Sequence, residues 1–243
     1  MNDFLIIIQC RISSNRLPNK ILLKLGKKTL LEFLLDNLKK IKNLNIVCAI
    51  AKEKKNKKLK DILKKNEIKY YEGSINNVLE RIYMTAKKFN HKKNIIRITS
   101  DCPLVDTNLI EEGIRLFKKK NVDYISNNIE PSFPHGLDYE IFTFAALKKT
   151  YKSSDKNSEK EHVTEYIKKN NFFKKINVKS KIKLDRYYRW TIDTKYDYKF
   201  IKVLYKKFLI KNKIFTWTKI LNFLKKNKDI QQINAANHHF YFN

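Results

Sequence analysis

A polar segment near the start of the chain, residues 9–20, contains the side chains best suited to binding phosphate. Arg11, Arg16 and Lys20 place three fixed cations within ten positions, and the whole chain contains only seven arginines. Because lysine is abundant elsewhere in this sequence, arginine at two of these positions favours bidentate contacts to phosphate oxygens. Ser14 adds a short hydroxyl donor, although an ordinary basic surface loop has the same composition. The segment lacks the GxxxxGK[ST] pattern, so it is not a Walker A loop.

The elements around this segment alternate between strand-like and helix-like patterns. A strand is predicted at residues 4–9, because residues 4–8 form a continuous apolar run typical of a strand buried on both faces of a parallel sheet. Further strand patterns follow at 46–51, 68–71 and 95–99, and the segments between them have helical spacing with one apolar face. This alternation predicts an α/β fold, in which a mostly parallel, mixed sheet carries helices on both faces.

This fold predicts that two distant loops share one site. In open α/β sheets ligands bind outside the carboxyl ends of the strands. The loops after Gln9 and after Thr99 both lie at such ends, so we expect them to form walls of one site, although about 90 residues separate them. Asp101 lies in the second loop. By local sequence alone it is equally suited to binding a ligand or to forming a turn or helix N-cap.

The second half of the chain has less regular patterns. The polar residues 152–160 predict a loop, and the sequence has no internal repeat and no linker rich in proline or glycine. We therefore expect one domain over residues 1–243, with residues 1–120 and 121–243 as its halves. Strands are predicted at 122–127, 139–142, 172–178 and 187–192, and helices at 161–169, 196–209 and 216–225.

Composition restricts the compartment and the partners. The three cysteines form no CxxC pair, which favours a reducing compartment, and no apolar segment approaches the roughly 20 residues of a membrane span. We expect a cytoplasmic protein with no membrane partner. The net charge of +29 is compatible with an anionic partner such as nucleic acid. Codon bias explains it better, because the chain is rich in Lys, Asn, Ile, Phe and Tyr and its lysines are spread over predicted helix exteriors. We therefore expect no specific nucleic-acid partner.

The order of several motifs resembles a known superfamily. Residues 7–20 read Ile-Ile-Gln-x-Arg-x-x-Ser-x-Arg-Leu-Pro-x-Lys. This pattern resembles the N-terminal signature of the CMP-sugar synthetases, which include the acylneuraminate and 3-deoxy-manno-octulosonate cytidylyltransferases. The closer likeness is to the branch named after spore coat polysaccharide biosynthesis protein F. Further blocks follow in the family's order at residues 73–81, 97–106, 136–140, 161–164 and 190–197.

The resemblance implies a fold and a set of nucleotide-binding residues. The fold is the three-layer sandwich of the nucleotide-diphospho-sugar transferases, with residues 1–120 as the nucleotide-binding half. The bound nucleotide is CTP, and its triphosphate contacts Arg11, Ser14, Arg16 and Lys20, while Arg97 and Thr99 line the nucleotide pocket. The metal ion is Mg²⁺, with Asp101 and Asp193 as its ligands. The residues carried over as catalytic are Arg11, Lys20 and Asp101.

The resemblance also implies an acceptor site in residues 121–243. Gly136, Asp138, Glu140 and His162 are the expected contacts to the acceptor sugar, although His162 is equally suited to a structural role. His135 stands where the family commonly has an acidic residue, and this departure weakens any inference about which sugar binds. The pair Asp193-Thr194 has an alternative role as the cap of a helix that begins near Tyr196.

The implied activity is transfer of CMP from CTP to a sugar hydroxyl, with release of pyrophosphate. The expected acceptor is a nonulosonic or ulosonic acid used for surface polysaccharide, and a homodimer is expected by analogy with the fold. Another nucleotide or acceptor on the same fold is the nearest alternative. A basic RNA-binding or surface-binding protein and an inactive scaffolding relative are alternatives from other classes.

Overall fold

A mixed sheet forms the frame of the molecule. The computed structural model describes residues 3–89, 94–212 and 215–235. The strands are β1 (Phe4–Cys10), β2 (Lys24–Leu25), β3 (Lys28–Thr29), β4 (Asn45–Ala51), β5 (Lys69–Gly73), β6 (Asn94–Thr99), β7 (Tyr124–Ser126), β8 (Glu140–Thr143) and β9 (Lys175–Asn177). The helices are α1 (Leu30–Leu38), α2 (Lys57–Lys65), α3 (Val78–Phe89), α4 (Thr107–Lys120), α5 (Phe144–Ser153), α6 (Asn157–Glu161), α7 (Glu165–Lys169), α8 (Lys195–Leu204), α9 (Trp217–Lys226) and α10 (Lys228–Gln232).

Seven of the described strands join one sheet in the order β5-β4-β1-β6-β8-β7-β9. β5, β4, β1 and β6 are parallel, while β8 runs antiparallel to β6 and to β7. β7 and β9 pair in parallel, and β2 and β3 form a separate hairpin. Both halves of the chain thus contribute strands to the same sheet. The predicted α/β class with a mostly parallel, mixed sheet is confirmed.

Helices cover both faces of this sheet. Side chains of β1 alternate between two apolar clusters, with Ile6 and Ile8 in the larger and Leu5 and Ile7 in the smaller. The larger cluster includes the apolar faces of α1, α4, α8 and α9, whereas α3, α5 and α7 cover the opposite face. This arrangement explains the continuous apolar run of β1 and gives the three layers that were predicted. No described helix is both long enough and apolar enough to cross a bilayer.

Three predicted elements differ from the structure. The predicted loop at 152–160 is largely helical, because α5 runs to Ser153 and α6 begins at Asn157. The predicted helix at 161–169 begins only at Glu165. The predicted strand at 187–192 is wrong, since this segment makes one isolated parallel bridge, between His135 and Arg189. Its alternating pattern arises because Tyr188, Trp190 and Ile192, at alternate positions, all pack into the larger apolar cluster.

Gly136 lies where two backbone segments cross. Its φ angle is 107°, a backbone conformation that residues other than glycine rarely adopt. A Cβ at this position lies 2.5 Å from the amide nitrogen of Thr191 and 2.6 Å from the carbonyl carbon of Trp190. Both the conformation and the close contact therefore require glycine. This crossing holds the segment that contains Asp138 against the segment that leads to Asp193.

Gly136→Ala is expected to lower the free energy of unfolding by more than about 2 kcal/mol, because it adds both backbone strain and a steric clash. Urea denaturation followed by circular dichroism measures the change. Ser153→Ala, at an exposed position near the end of α5, is the control and is expected to stay within about 0.5 kcal/mol of the parent. A Gly136→Ala variant as stable as this control contradicts the steric explanation.

Candidate active site

A cleft of about 740 Å³ opens at the carboxyl ends of β1 and β6. Parallel pairing places Gln9 beside Thr99, so the loops that follow these two residues begin side by side. Gln9, Thr99 and Asp101 all line the cleft. The sheet thus brings together the two loops that are far apart in the sequence, at the edge where α/β sheets bind ligands.

The first loop folds back on itself to direct Lys20 inward. The amide of Asn19 donates to the carbonyl of Ile12 at 3.2 Å, which closes the loop. Asn19 has a φ of 58°, in the left-handed region that asparagine tolerates better than most residues. The Ser14 hydroxyl accepts the Leu17 amide at 3.4 Å and does not line the cleft. Its assignment to phosphate binding stays a prediction.

Lys20 lies between the two candidate metal-binding carboxylates. Its ammonium donates to Asp101 Oδ2 at 2.7 Å, to Asp193 Oδ1 at 2.9 Å and to the carbonyl of Ile192 at 3.0 Å. The residue is only 5% exposed. Burial alone lowers the pKa of Lys20, but the two carboxylates outweigh it and raise that pKa above its ordinary value. A fixed positive charge therefore lies at the base of the cleft.

Asp193 is held by a cluster of cations. In addition to Lys20, it contacts Arg16 at 3.2 Å and Arg189 at 2.6 Å. Burial alone raises the pKa of Asp193, yet these cations lower it to about 2. Of the predicted capping pair, Thr194 is the residue whose side chain caps α8. Asp193 is therefore an ionised carboxylate on the cleft wall and not the helix cap.

Asp101 is the more accessible of the two carboxylates. Its side chain is 27% exposed, compared with 11% for Asp193. Burial and the nearby Asp193 raise the pKa of Asp101, but Lys20 outweighs them and the pKa is lowered. The N-cap of α4 is Asp106, which accepts the Asn108 amide at 2.9 Å. The Asp101 carboxylate is thus not that cap and lines the cleft.

Arg189 fixes the Asp193 carboxylate from inside the protein. This residue was not identified from the sequence. Its guanidinium is 1% exposed and bridges Asp193 to Asp197, at 2.6 and 3.1 Å. Asn234 donates to the carbonyl of Arg189 and to Asp197, both at 3.0 Å. The scarcity of arginine that pointed to Arg16 applies equally to Arg189, but the strand-like pattern of its neighbours favoured packing.

A second buried network lies on the β8 side of the cleft. Gln9 accepts two hydrogen bonds from Arg97, at 3.0 and 2.6 Å, and Arg97 also pairs with Glu140. The hydroxyls of Tyr124 and Thr164 donate to the same carboxylate. Glu140 lines the cleft but is 4% exposed. Its main contacts are therefore internal, and they fix Arg97 and the Gln9 amide in the cleft wall.

Because of Glu140, the free energy of unfolding is expected to depend on pH in the acidic range. Burial alone raises the pKa of Glu140, but Arg97 and the neighbouring donors lower it to about 2 from an ordinary 4.5. A lowered pKa contributes stability above pH 4.5 that is lost as the pH falls towards 2, an effect of about 3 kcal/mol. Glu140→Gln is therefore expected to unfold more easily at pH 7, with a difference from the parent that narrows near pH 2.

Chemical denaturation between pH 2 and 7 measures this difference. Glu112→Gln, which changes an exposed carboxylate on α4, is the matched control and is expected to follow the parent curve. Parallel curves for Glu140→Gln and the parent across this range contradict the assignment.

Two of the remaining predicted contacts, Asp138 and His162, line the cleft, whereas Gly136 does not. Between His162 and Thr164, which both line the cleft, the buried Val163 has a φ of 49°. This conformation is a genuine outlier for a β-branched residue, and such strain occurs most often at functional sites. It turns the chain between α6 and α7 so that the residues on either side of Val163 face the cleft.

The family assignment follows from comparison with known proteins. The profile of the cytidylyltransferase family matches residues 5–230. The chain belongs to the cytidylyltransferase family. The match includes both loops of the cleft and the segment that carries Asp193. It confirms the predicted resemblance, and it makes this family member a nucleotidyltransferase.

Two relatives match this family member over most of their length. An uncharacterized protein of Methanocaldococcus jannaschii is 39% identical over 232 residues, which cover 94% of this chain and 93% of the relative. The spore coat polysaccharide biosynthesis protein SpsF of Bacillus subtilis is 33% identical over 224 residues, which cover 85% and 88%. The predicted likeness to the SpsF branch is therefore confirmed.

Solved structures support the fold. A cytidylyltransferase from Leptospira borgpetersenii is 33% identical and superposes with a TM-score of 0.87, covering 95% of this chain and 97% of that one. A CMP:2-keto-3-deoxy-manno-octonic acid synthetase complexed with CTP superposes with a TM-score of 0.62 at 12% identity, covering 84% and 98%. At that identity the second likeness shows the fold alone.

Proposed function

We propose that this family member transfers a cytidylyl group from CTP to a hydroxyl of an acidic sugar, a nonulosonic or ulosonic acid, for surface polysaccharide synthesis. One observation carries the proposal. Arg16, Lys20, Asp101 and Asp193 line a single cleft and are joined by three ion pairs of 3.2 Å or less. Cations suited to phosphate and carboxylates suited to a metal therefore adjoin the same space.

The reaction is a displacement at the α-phosphorus. The hydroxyl oxygen of the acceptor bonds to this phosphorus as the bond to the oxygen that bridges the β-phosphate breaks. Pyrophosphate leaves with that electron pair, and the hydroxyl proton passes to solvent. Little covalent chemistry is required of the protein, so positioning and charge neutralisation provide most of the rate. Arg11, Arg16 and Lys20 provide positive charge for the departing pyrophosphate.

The pair of carboxylates fits a magnesium ion. The described residues contain no cluster of three or more His, Cys, Asp or Glu side chains able to hold a metal. Mg²⁺ differs from most metals in this respect, because it commonly binds one or two carboxylates together with water and substrate phosphates. Asp101 and Asp193 would supply the carboxylate oxygens of that set, and the ion would neutralise charge on the triphosphate.

The relatives support the choice of nucleotide and acceptor. The Leptospira relative is described as a cytidylyltransferase and the Bacillus relative as a protein of spore coat polysaccharide biosynthesis. The synthetase of similar fold was solved with CTP and acts on an acidic sugar according to its name. The first two descriptions favour cytidylyl transfer to a polysaccharide sugar, and the synthetase shows that a protein of this fold binds CTP.

A thermal-shift panel tests the proposal. CTP, UTP, ATP and GTP are added separately, with and without Mg²⁺, and the melting temperature is recorded. We expect CTP with Mg²⁺ to give the largest increase. Pyrophosphate release is then measured from CTP and Mg²⁺ with a panel of nonulosonic and ulosonic acids. A preference for another nucleotide contradicts the proposal. If CTP binds but no acidic sugar causes pyrophosphate release, only the nucleotide-binding part of the proposal is supported.

A further inference from the structure

A second cavity, of about 830 Å³, adjoins the cleft. The two cavities share Asn128, His135 and Asp138 among their lining residues, so these three side chains form the wall between them. The remaining walls come from residues 131–133 and 180–188. Neither segment contains a residue that the proposed cytidylyl transfer uses.

The walls of this second cavity are apolar where those of the cleft are polar. Phe133, Ile182 and Leu184 line it. Phe133 is fixed by an edge-to-face contact with Trp217, whose ring centroid lies 5.3 Å away. Ile182 is 38% exposed, one of the few large apolar side chains left this accessible in the described residues. An apolar group that enters the cavity removes this surface from water, which is favourable.

The rim of the cavity is positively charged. Lys181 and Lys183 alternate with the apolar residues of the same segment, and both line the cavity. Arg186 also lines it but is paired with Asp185 at 3.1 Å. The two lysines therefore provide an excess of positive charge that attracts an anionic molecule.

His135 makes the shared wall polar and rigid. The Tyr187 hydroxyl and an Arg189 nitrogen lie 2.8 and 3.2 Å from His135 Nδ1. Because arginine only donates hydrogen bonds, Nδ1 must accept, which leaves the imidazole proton on Nε2. That nitrogen lies 3.8 Å from Asp138 Oδ2. Burial and Arg189 also lower the pKa of His135, so the neutral ring offers one N–H donor at the wall.

We propose that the second cavity binds an apolar substituent of the acceptor, while the acidic sugar part of the same molecule lies in the cleft. The shared wall, the apolar lining and the cationic rim together fit an anionic molecule with one apolar arm. This inference rests on the proposed function, since it requires the acceptor to enter the cleft. It narrows the substrate class from acidic sugars in general to those that carry an apolar substituent.

Alkanoates of increasing length test the cavity directly. Butyrate, hexanoate and octanoate are titrated by calorimetry in the presence of CTP and Mg²⁺, with gluconate as a polar six-carbon anion. We expect affinity to rise about fourfold per added methylene, and hexanoate to bind at least about tenfold more tightly than gluconate. Leu184→Asn is expected to weaken octanoate binding at least about fivefold. Leu116→Asn, at a half-buried position on α4 that lines neither cavity, is the matched control.

The outcomes separate this inference from the proposed function. Octanoate is expected to inhibit turnover competitively against the acceptor and not against CTP. Affinities that do not depend on chain length, or that Leu184→Asn leaves unchanged, overturn the inference. Light scattering that shows a dimer dissociated by Leu184→Asn also overturns it, because a second copy then covers the cavity. A third outcome is that octanoate binding depends on Leu184 but CTP causes no thermal shift. That outcome refutes the proposed function, while the apolar preference of the cavity still holds.

Discussion

Asp101→Asn is expected to lower the rate of pyrophosphate release by about a thousandfold while the protein remains folded. The substitution keeps the size of the side chain but removes the negative charge that faces the cleft. Loss of one preorganised electrostatic contact commonly reduces the rate by about a hundredfold to a thousandfold, and loss of a metal ligand adds to this. Steady-state release of pyrophosphate from CTP and Mg²⁺ measures the change.

The fold of the Asp101→Asn variant is expected to survive because Lys20 keeps Asp193 as its partner. Circular dichroism and the melting temperature check this point. Asp36→Asn, which changes an exposed carboxylate on α1, is the control and is expected to keep the parent rate. Full turnover in Asp101→Asn removes Asp101 from the mechanism.

Lys20→Met is the second substitution with a large expected effect. It removes the buried charge that lies between Asp101 and Asp193, and we expect the rate to fall by about a hundredfold or more. Without the ammonium, Asp101 loses its main stabilising partner and its pKa is expected to rise. The two carboxylates then repel each other, which lowers the melting temperature at neutral pH.

A readout independent of activity tests the electrostatic role of Lys20. Added Mg²⁺, without nucleotide, is expected to raise the melting temperature of Lys20→Met more than that of the parent, because the parent already has a cation between the carboxylates. Lys24→Met, at an exposed position in the β2–β3 hairpin, is the control and is expected to behave as the parent. An equal response to Mg²⁺ in Lys20→Met and the parent argues against this role.

The sequence predicts those parts of the fold in which one periodic pattern dominates. β1 was recognisable because it is buried on both faces, and α3 and α4 because each has one apolar face. The helix at 157–161 was missed, since the lysines and serines of residues 152–160 suggest a loop, and no element was predicted for most of the helix at 144–153. What stabilises the helix at 144–153 is the burial of Ala146 and Leu147 against the sheet, which only the tertiary structure supplies.

The location of the cleft was also predictable, because parallel strands end at a common edge. The partners of individual side chains were not. The Lys20 ammonium lies between two carboxylates, and this contact depends on residues 81 and 173 positions away. Glu140 is occupied by internal partners, and Gly136 permits a backbone crossing. These roles follow from distances and burial, which a pattern of residue types does not contain.

The bond from Asn234 to the backbone of Arg189 has a consequence for the growing polypeptide on the ribosome. Among the described residues that support the cleft, Asn234 is synthesised last, and it is 2% exposed against Arg189 and Asp197. A nascent chain arrested before residue 234 therefore contains every residue of the described cleft lining but lacks the hydrogen bonds from Asn234 to Arg189 and Asp197.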